Sequence, residues 1–160
     1  MLAFLARLCA VLAGVLLTFI TLLTCGNLII RNAGGDAMAG AFELTAMASG
    51  AAIALFMPLC QLRNGNIIVD FFTAKVSDRV NALLDRLGAL ILASVFLFLA
   101  WRTTNGCINV YQANSETQIM GFPEWVVYAA MIPPFVLTAV IALKQAFLGF
   151  DSMTLPEQTA

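Results

Sequence analysis

Hydrophobic positions in this chain run together in long blocks, and each block is closed at both ends by a charged residue. Leu8 to Ile30 is 23 residues without a charge, between Arg7 and Arg31. As a helix rising 1.5 Å per residue it reaches about 34 Å, enough to cross a bilayer with some tilt. The apolar core of a cleaved signal peptide is about 7–15 residues, so the block reads as a retained helix. Leu44 to Leu62, between Glu43 and Arg63, and Trp125 to Leu143, between Glu124 and Lys144, give 19 uncharged residues each, or about 28 Å of helix. The remaining block, Leu87 to Trp101, has only 15 residues between Arg86 and Arg102. It spans about 22 Å and crosses if both arginines lay their aliphatic stems along the hydrocarbon and reach opposite interfaces. A lone block of this length also fits a buried helix of a soluble protein, but three neighbouring spans favour a fourth. The expected fold is an all-α integral membrane protein with transmembrane helices at about 8–30, 44–62, 83–104 and 125–143.

The stretch between the second and third spans has a different pattern. Ile67, Phe71, Phe72, Val76, Val80, Leu83, Leu84 and Leu87 recur at or beside three- and four-residue spacings, while Asp70, Lys75, Asp78, Arg79, Asp85 and Arg86 fill much of the remaining surface. Such a stripe predicts an amphipathic helix lying in the interface over about 66–77, broken near Ser77-Asp78. From residue 78 onward an extended, water-facing end of the third helix fits equally well. The chain reads as a single transmembrane domain over 1–150 with a polar C-terminal tail at 151–160.

Composition agrees with a membrane setting and narrows the chemistry. Hydrophobic residues make up 61% of the 160 positions and charged residues 11%, against about 45–50% and 25% in soluble domains. The 8 basic and 9 acidic residues leave a net charge of -1, which gives no basic field for nucleic acid. Histidine is absent, which excludes imidazole-based haem ligation, zinc sites and acid–base catalysis.

Orientation follows from the placement of Lys and Arg in short connections. With the N-terminus inside, Arg7, Arg63, Lys75, Arg79, Arg86 and Lys144 are cytoplasmic, and only Arg31 and Arg102 lie outside. Both termini are then expected in the cytoplasm, with loops 31–43 and about 103–124 facing out.

Candidate reactive groups are few. Cys9, Cys25, Cys60 and Cys107 form no Cys-x-x-Cys motif and read as small packing residues, although four cysteines on four spans leave a membrane thiol/quinone oxidoreductase as the alternative function. A disulfide between Cys25 and Cys107, both toward the outer side, is an open possibility. Pro133-Pro134 falls within the fourth span and predicts a kink. No span carries a midplane charge, so the chain reads as a subunit without its own catalytic or ion site. Ala6, Ala10, Gly14 and Thr18, and likewise Ala46, Gly50 and Ala54, form rows at spacing four that allow close helix approach. Glu43 and Arg102 stand at the outer edges of spans two and three; each lacks another obvious partner, so an ion pair between them is expected, with two separately snorkelled and hydrated side chains as the alternative.

Three stretches, in order, resemble the small Q-type membrane subunit of tripartite ATP-independent periplasmic (TRAP) transporters. The first runs from Gly40-Ala41-Phe42-Glu43-Leu44, through a small-residue helix, to Gln61-Leu62-Arg63-Asn64-Gly65. The second, Asn66-Ile67-Ile68-Val69-Asp70, is similar to a His-Ile-x-Val-Asp pattern of that family; Asn66 replaces the histidine, so no role of an imidazole transfers. The third is Ser115-Glu116-Thr117 followed by Gly121-Phe122-Pro123-Glu124-Trp125, similar to a polar outer loop that leads to Pro-x-Trp before span four. The resemblance covers about residues 8–148.

What it implies is a noncatalytic small permease subunit in the bacterial inner membrane, partnered by a large M-type membrane subunit and a periplasmic substrate-binding protein. The large subunit would hold the substrate and sodium sites and take up an organic anion, while this chain, with no cofactor of its own, would brace it and help dock the binding protein. The candidate structural or partner-interface residues are Glu43, Arg63, Asp70, Arg102, Glu116, Pro123 and Trp125. Arg63 and Asp70 would fix the inner turn, and Trp125 would anchor the outer interface.

Overall fold

The computed structural model describes residues 1–36, 38–63 and 78–148. Four helices carry it: α1 (Leu2–Asn32), α2 (Ala41–Leu62), α3 (Asp78–Gln112) and α4 (Trp125–Leu148). All four are long and apolar enough to cross a membrane.

The helices coincide with the expected spans but are longer. α1 has 31 residues and α3 has 35, or about 46 and 52 Å of helix, well beyond a hydrocarbon core of about 30 Å. Charged residues bound the apolar blocks, but a helix ends only where its backbone hydrogen bonds do. Arg7 therefore lies inside α1, and Arg86 and Arg102 lie inside α3, whose flanks supply the length that the 15-residue block lacked. α3 is already helical at Asp78, so residues 78–86 form an extended lower end of the third helix. The interfacial helix expected over about 66–77 and the tail 151–160 lie outside the described residues.

The helices form a row. α1 packs on α2, α2 on α4, and α4 on α3, with only a slight touch between α1 and α4. α1 and α3 are thus the edges, and a smaller share of each is buried than of α2 or α4. The C-terminal ends of α2 and α4 meet through Gln61 and Gln145, each the 21st residue of its helix, so the two central helices run parallel. Each is the second helix of a helical hairpin, and the two hairpins stand back to back.

Twelve of the fifteen buried hydrophobic side chains among the described residues are alanines; the others are Ile20, Leu62 and Ile141. In lipid, apolar bulk gains little by leaving the tails for a protein interior, whereas small residues let backbones approach and gain dispersion contact. The large side chains point outward accordingly: Phe4, Val15, Phe19, Ile91, Phe98, Trp101 and Phe147 are all exposed. The small-residue rows match the seams only in part. On α1 the buried face is Ala6, Ala13 and Ile20, while Thr18, from the expected row, is exposed. A spacing of four turns about 40° around the helix at each step, whereas a spacing of seven stays nearly in line.

Prolines lie inside two of the spans. Pro133 and Pro134 lie inside α4, and Pro58 lies inside α2. Helix assignment continues through all three, and Pro58 and Pro134 are fully buried. The Thr138 hydroxyl donates to the Pro134 carbonyl at 2.7 Å, which satisfies its own donor within the helix.

Candidate functional site

Two polar constructions organise the row, one at each end. The first, at the end expected to face out, is a hairpin between α3 and α4. α3 ends where Asn114 turns into the left-handed region at φ 47, a conformation asparagine tolerates better than most residues. The Ser115 amide then donates back to the Val110 carbonyl at 3.1 Å. The two arms meet at a bridge between Glu116 and Pro123. Across the tip, the Thr117 amide donates to the Phe122 carbonyl at 2.9 Å and the Gly121 amide to the Thr117 carbonyl at 3.0 Å. The Phe122 amide donates to the buried Thr117 hydroxyl at 3.0 Å.

Glu43, in the first turn of α2, holds this tip. Its carboxylate accepts from the Ile119 amide at 3.2 and 3.3 Å and from the Met120 amide at 3.3 Å. The expected ion pair with Arg102 does not form: among the described residues the Glu43 carboxylate is met by backbone amides, and Arg102 is exposed on α3, at the far edge of the row from α2. Two adjacent amides are the better match, because they are fixed by the hairpin and supply charge-assisted bonds without drawing a long side chain into the interface. A carboxylate in the first turn also suits the positive end of the α2 dipole. Gly40 allows the close approach. It caps α2 at φ 84, and a Cβ there would overlap the Met120 side chain.

At the hairpin's base, Trp125 opens α4 and sets its ring edge-on to Tyr111 of α3, with centroids 5.7 Å apart. The Cys107 thiol donates to the Trp125 carbonyl at 3.5 Å. Glu116, Pro123 and Trp125 are therefore brought together with Glu43 in one structure, while Arg102 stays apart. Arg63 caps the far end of α2, exposed, its amide donating to the Leu59 carbonyl at 3.0 Å. Asp70 lies outside the described residues, so the Arg63–Asp70 turn does too.

The construction at the opposite end of the row was not expected from the sequence. Gln61 Nε2 donates to Gln145 Oε1 at 2.6 Å, and Gln145 Nε2 donates to the Gln61 carbonyl at 3.0 Å. Both side chains are almost fully buried. Beside them Ala6, Leu62 and Ile141 pack together, with Ala3, Leu59 and Leu137 around them. This is where α1, α2 and α4 meet. The signal was two amide side chains at the ends of apolar blocks, next to Leu62-Arg63 and Lys144, where attention falls on the charges.

No disulfide joins any of the four cysteines, and Cys25 and Cys107 sit on the two edge helices. Among the described residues no group of three or more His, Cys, Asp or Glu side chains is placed to hold a metal ion.

The family model for the DctQ component of tripartite ATP-independent periplasmic transporters matches residues 20–151, which take in both constructions. The chain belongs to that family. It is a transporter component and not an enzyme, which removes the oxidoreductase alternative. No curated protein and no solved structure matches it. As a DctQ protein with four spans it is a multi-pass inner-membrane subunit, and the transporters of its family also contain a large membrane protein and a periplasmic binding protein.

Proposed function

We propose that this DctQ subunit braces the large membrane subunit of its transporter during sodium-coupled uptake of an organic anion delivered by the periplasmic binding protein. The observation that carries the reading is the architecture itself. A row of helices sealed by alanine, with large apolar side chains turned outward and no charge inside the apolar blocks, offers surface to other molecules and no path through its own middle. The chain holds no cofactor in this reading, and sodium and substrate bind in the large subunit. Both termini are cytoplasmic, in keeping with six of eight basic residues on that side.

Deletion of the chain tests this reading. Uptake should be lost while the large subunit is still made, and a tagged copy should co-purify with a much larger hydrophobic protein. Uptake that persists unchanged after deletion removes the bracing role. Orientation is checked separately: Ser115→Cys should react with a membrane-impermeant maleimide from the periplasmic side.

A further inference from the structure

The tip of the outer hairpin exposes Ile119, Met120 and Phe122 beside one polar side chain, Gln118, yet it is folded down onto a helix end. Ile119 is 60% and Met120 47% exposed, and Met38 and Phe42, which flank the Gly40 seat in sequence, are 54% and 85% exposed. No charged residue occurs from Thr117 to Pro123. We propose that the 117–122 tip is an interfacial lipid anchor, set by Glu43 at the boundary between headgroups and acyl chains of the outer leaflet.

Depth is the first argument. Glu43 belongs to the first turn of α2, so the Ile119 and Met120 amides it holds lie at the level where that span begins. α2 is 22 residues long, or about 33 Å, only slightly more than the hydrocarbon thickness, which leaves its first turn at the interface. The Tyr111–Trp125 pair at the hairpin's base consists of the residue types that favour this layer. The second argument is hydrogen bonding. Backbone entering a poorly hydrated layer must find partners for its N–H groups or lose several kcal/mol for each one left bare. Here the amides of Thr117, Gly121 and Phe122 are satisfied within the hairpin, and those of Ile119 and Met120 by Glu43. A tip whose amides at 117 and 119–122 are held in this way, with Ile119, Met120 and Phe122 exposed beside the polar, exposed Gln118, suits the boundary between headgroups and acyl chains; a tip meant for water would gain from polar side chains in place of those three.

The inference rests on the proposed orientation only for the name of the leaflet, which the Ser115→Cys labelling decides independently. The anchor is tested in the complex with the co-purifying large subunit, in nanodiscs of phosphatidylcholine and phosphatidylglycerol. With the four native cysteines replaced by serine or alanine, a nitroxide is placed at Ile119→Cys and its collisions with oxygen and with a water-soluble nickel chelate are measured. Oxygen should collide several-fold more effectively than nickel, as for a lipid-facing site near the headgroups. Free access of nickel would overturn the anchor in favour of a water-exposed tip. Shielding from both reagents would overturn it in favour of a tip covered by protein. Adding Glu43→Ala should move the label toward nickel, while Glu43→Gln should keep it nearer the native depth; an unchanged depth in Glu43→Ala would remove Glu43 as the setting residue.

Discussion

Gln61 and Gln145 show how a single uncharged pair can fix which helices adjoin. Burying an amide without a partner costs about 1–3 kcal/mol, and each of these amides meets the other helix. Gln145→Leu should therefore destabilise the fold by about 1–3 kcal/mol, read as a shift of the unfolding midpoint in detergent. The double variant Gln61→Leu/Gln145→Leu should recover part of that loss, because no side-chain amide is then stranded. Gly40→Ala belongs to the same scale. It would place a Cβ on a left-handed residue and against Met120, at a cost of about 1–3 kcal/mol, with faster proteolysis of the 113–124 hairpin as the companion readout. Glu43 was legible as a residue needing a partner, but its partner was not. The obvious candidate in sequence was a cation, and the actual one is a pair of amides whose direction exists only after the hairpin has closed.

At the scale of elements, the spans could be read directly because a hydrocarbon layer imposes a length and a composition on anything that crosses it. Their ends could not, since Arg7, Arg86 and Arg102 sit within helices that continue past them. Seam positions were legible only in part. Small residues at spacing four mark a helix that can be approached closely, but which of them a neighbour covers depends on the crossing: on α1 the buried positions are Ala6, Ala13 and Ile20, seven apart, and on α3 Ala89, Ala93 and Ala100, four and then seven apart. Ala93 is sealed in a seam, whereas Val95, two residues on, is exposed. Ala93→Leu should cost about 1–3 kcal/mol by forcing α3 away from its neighbour, and Val95→Leu should leave the unfolding midpoint nearly unchanged.

For the whole molecule, four apolar helices of this size admit many arrangements, and nothing in the hydropathy pattern distinguishes a closed bundle from a row. The row α1, α2, α4, α3 follows from contacts between residues far apart in the chain, such as Gln61 with Gln145 and Glu43 with Ile119. It places Cys25 and Cys107 on opposite edges, so mild oxidation of the purified subunit should yield no intramolecular disulfide between them. A row also leaves both edge helices with broad apolar surfaces, on which the proposed bracing role rests. The most direct test of that role is reconstitution into proteoliposomes with a sodium gradient and the periplasmic binding protein. The chain together with its large subunit should accumulate solute, and the chain without it should accumulate none; concentrative uptake by the small subunit by itself would contradict the account.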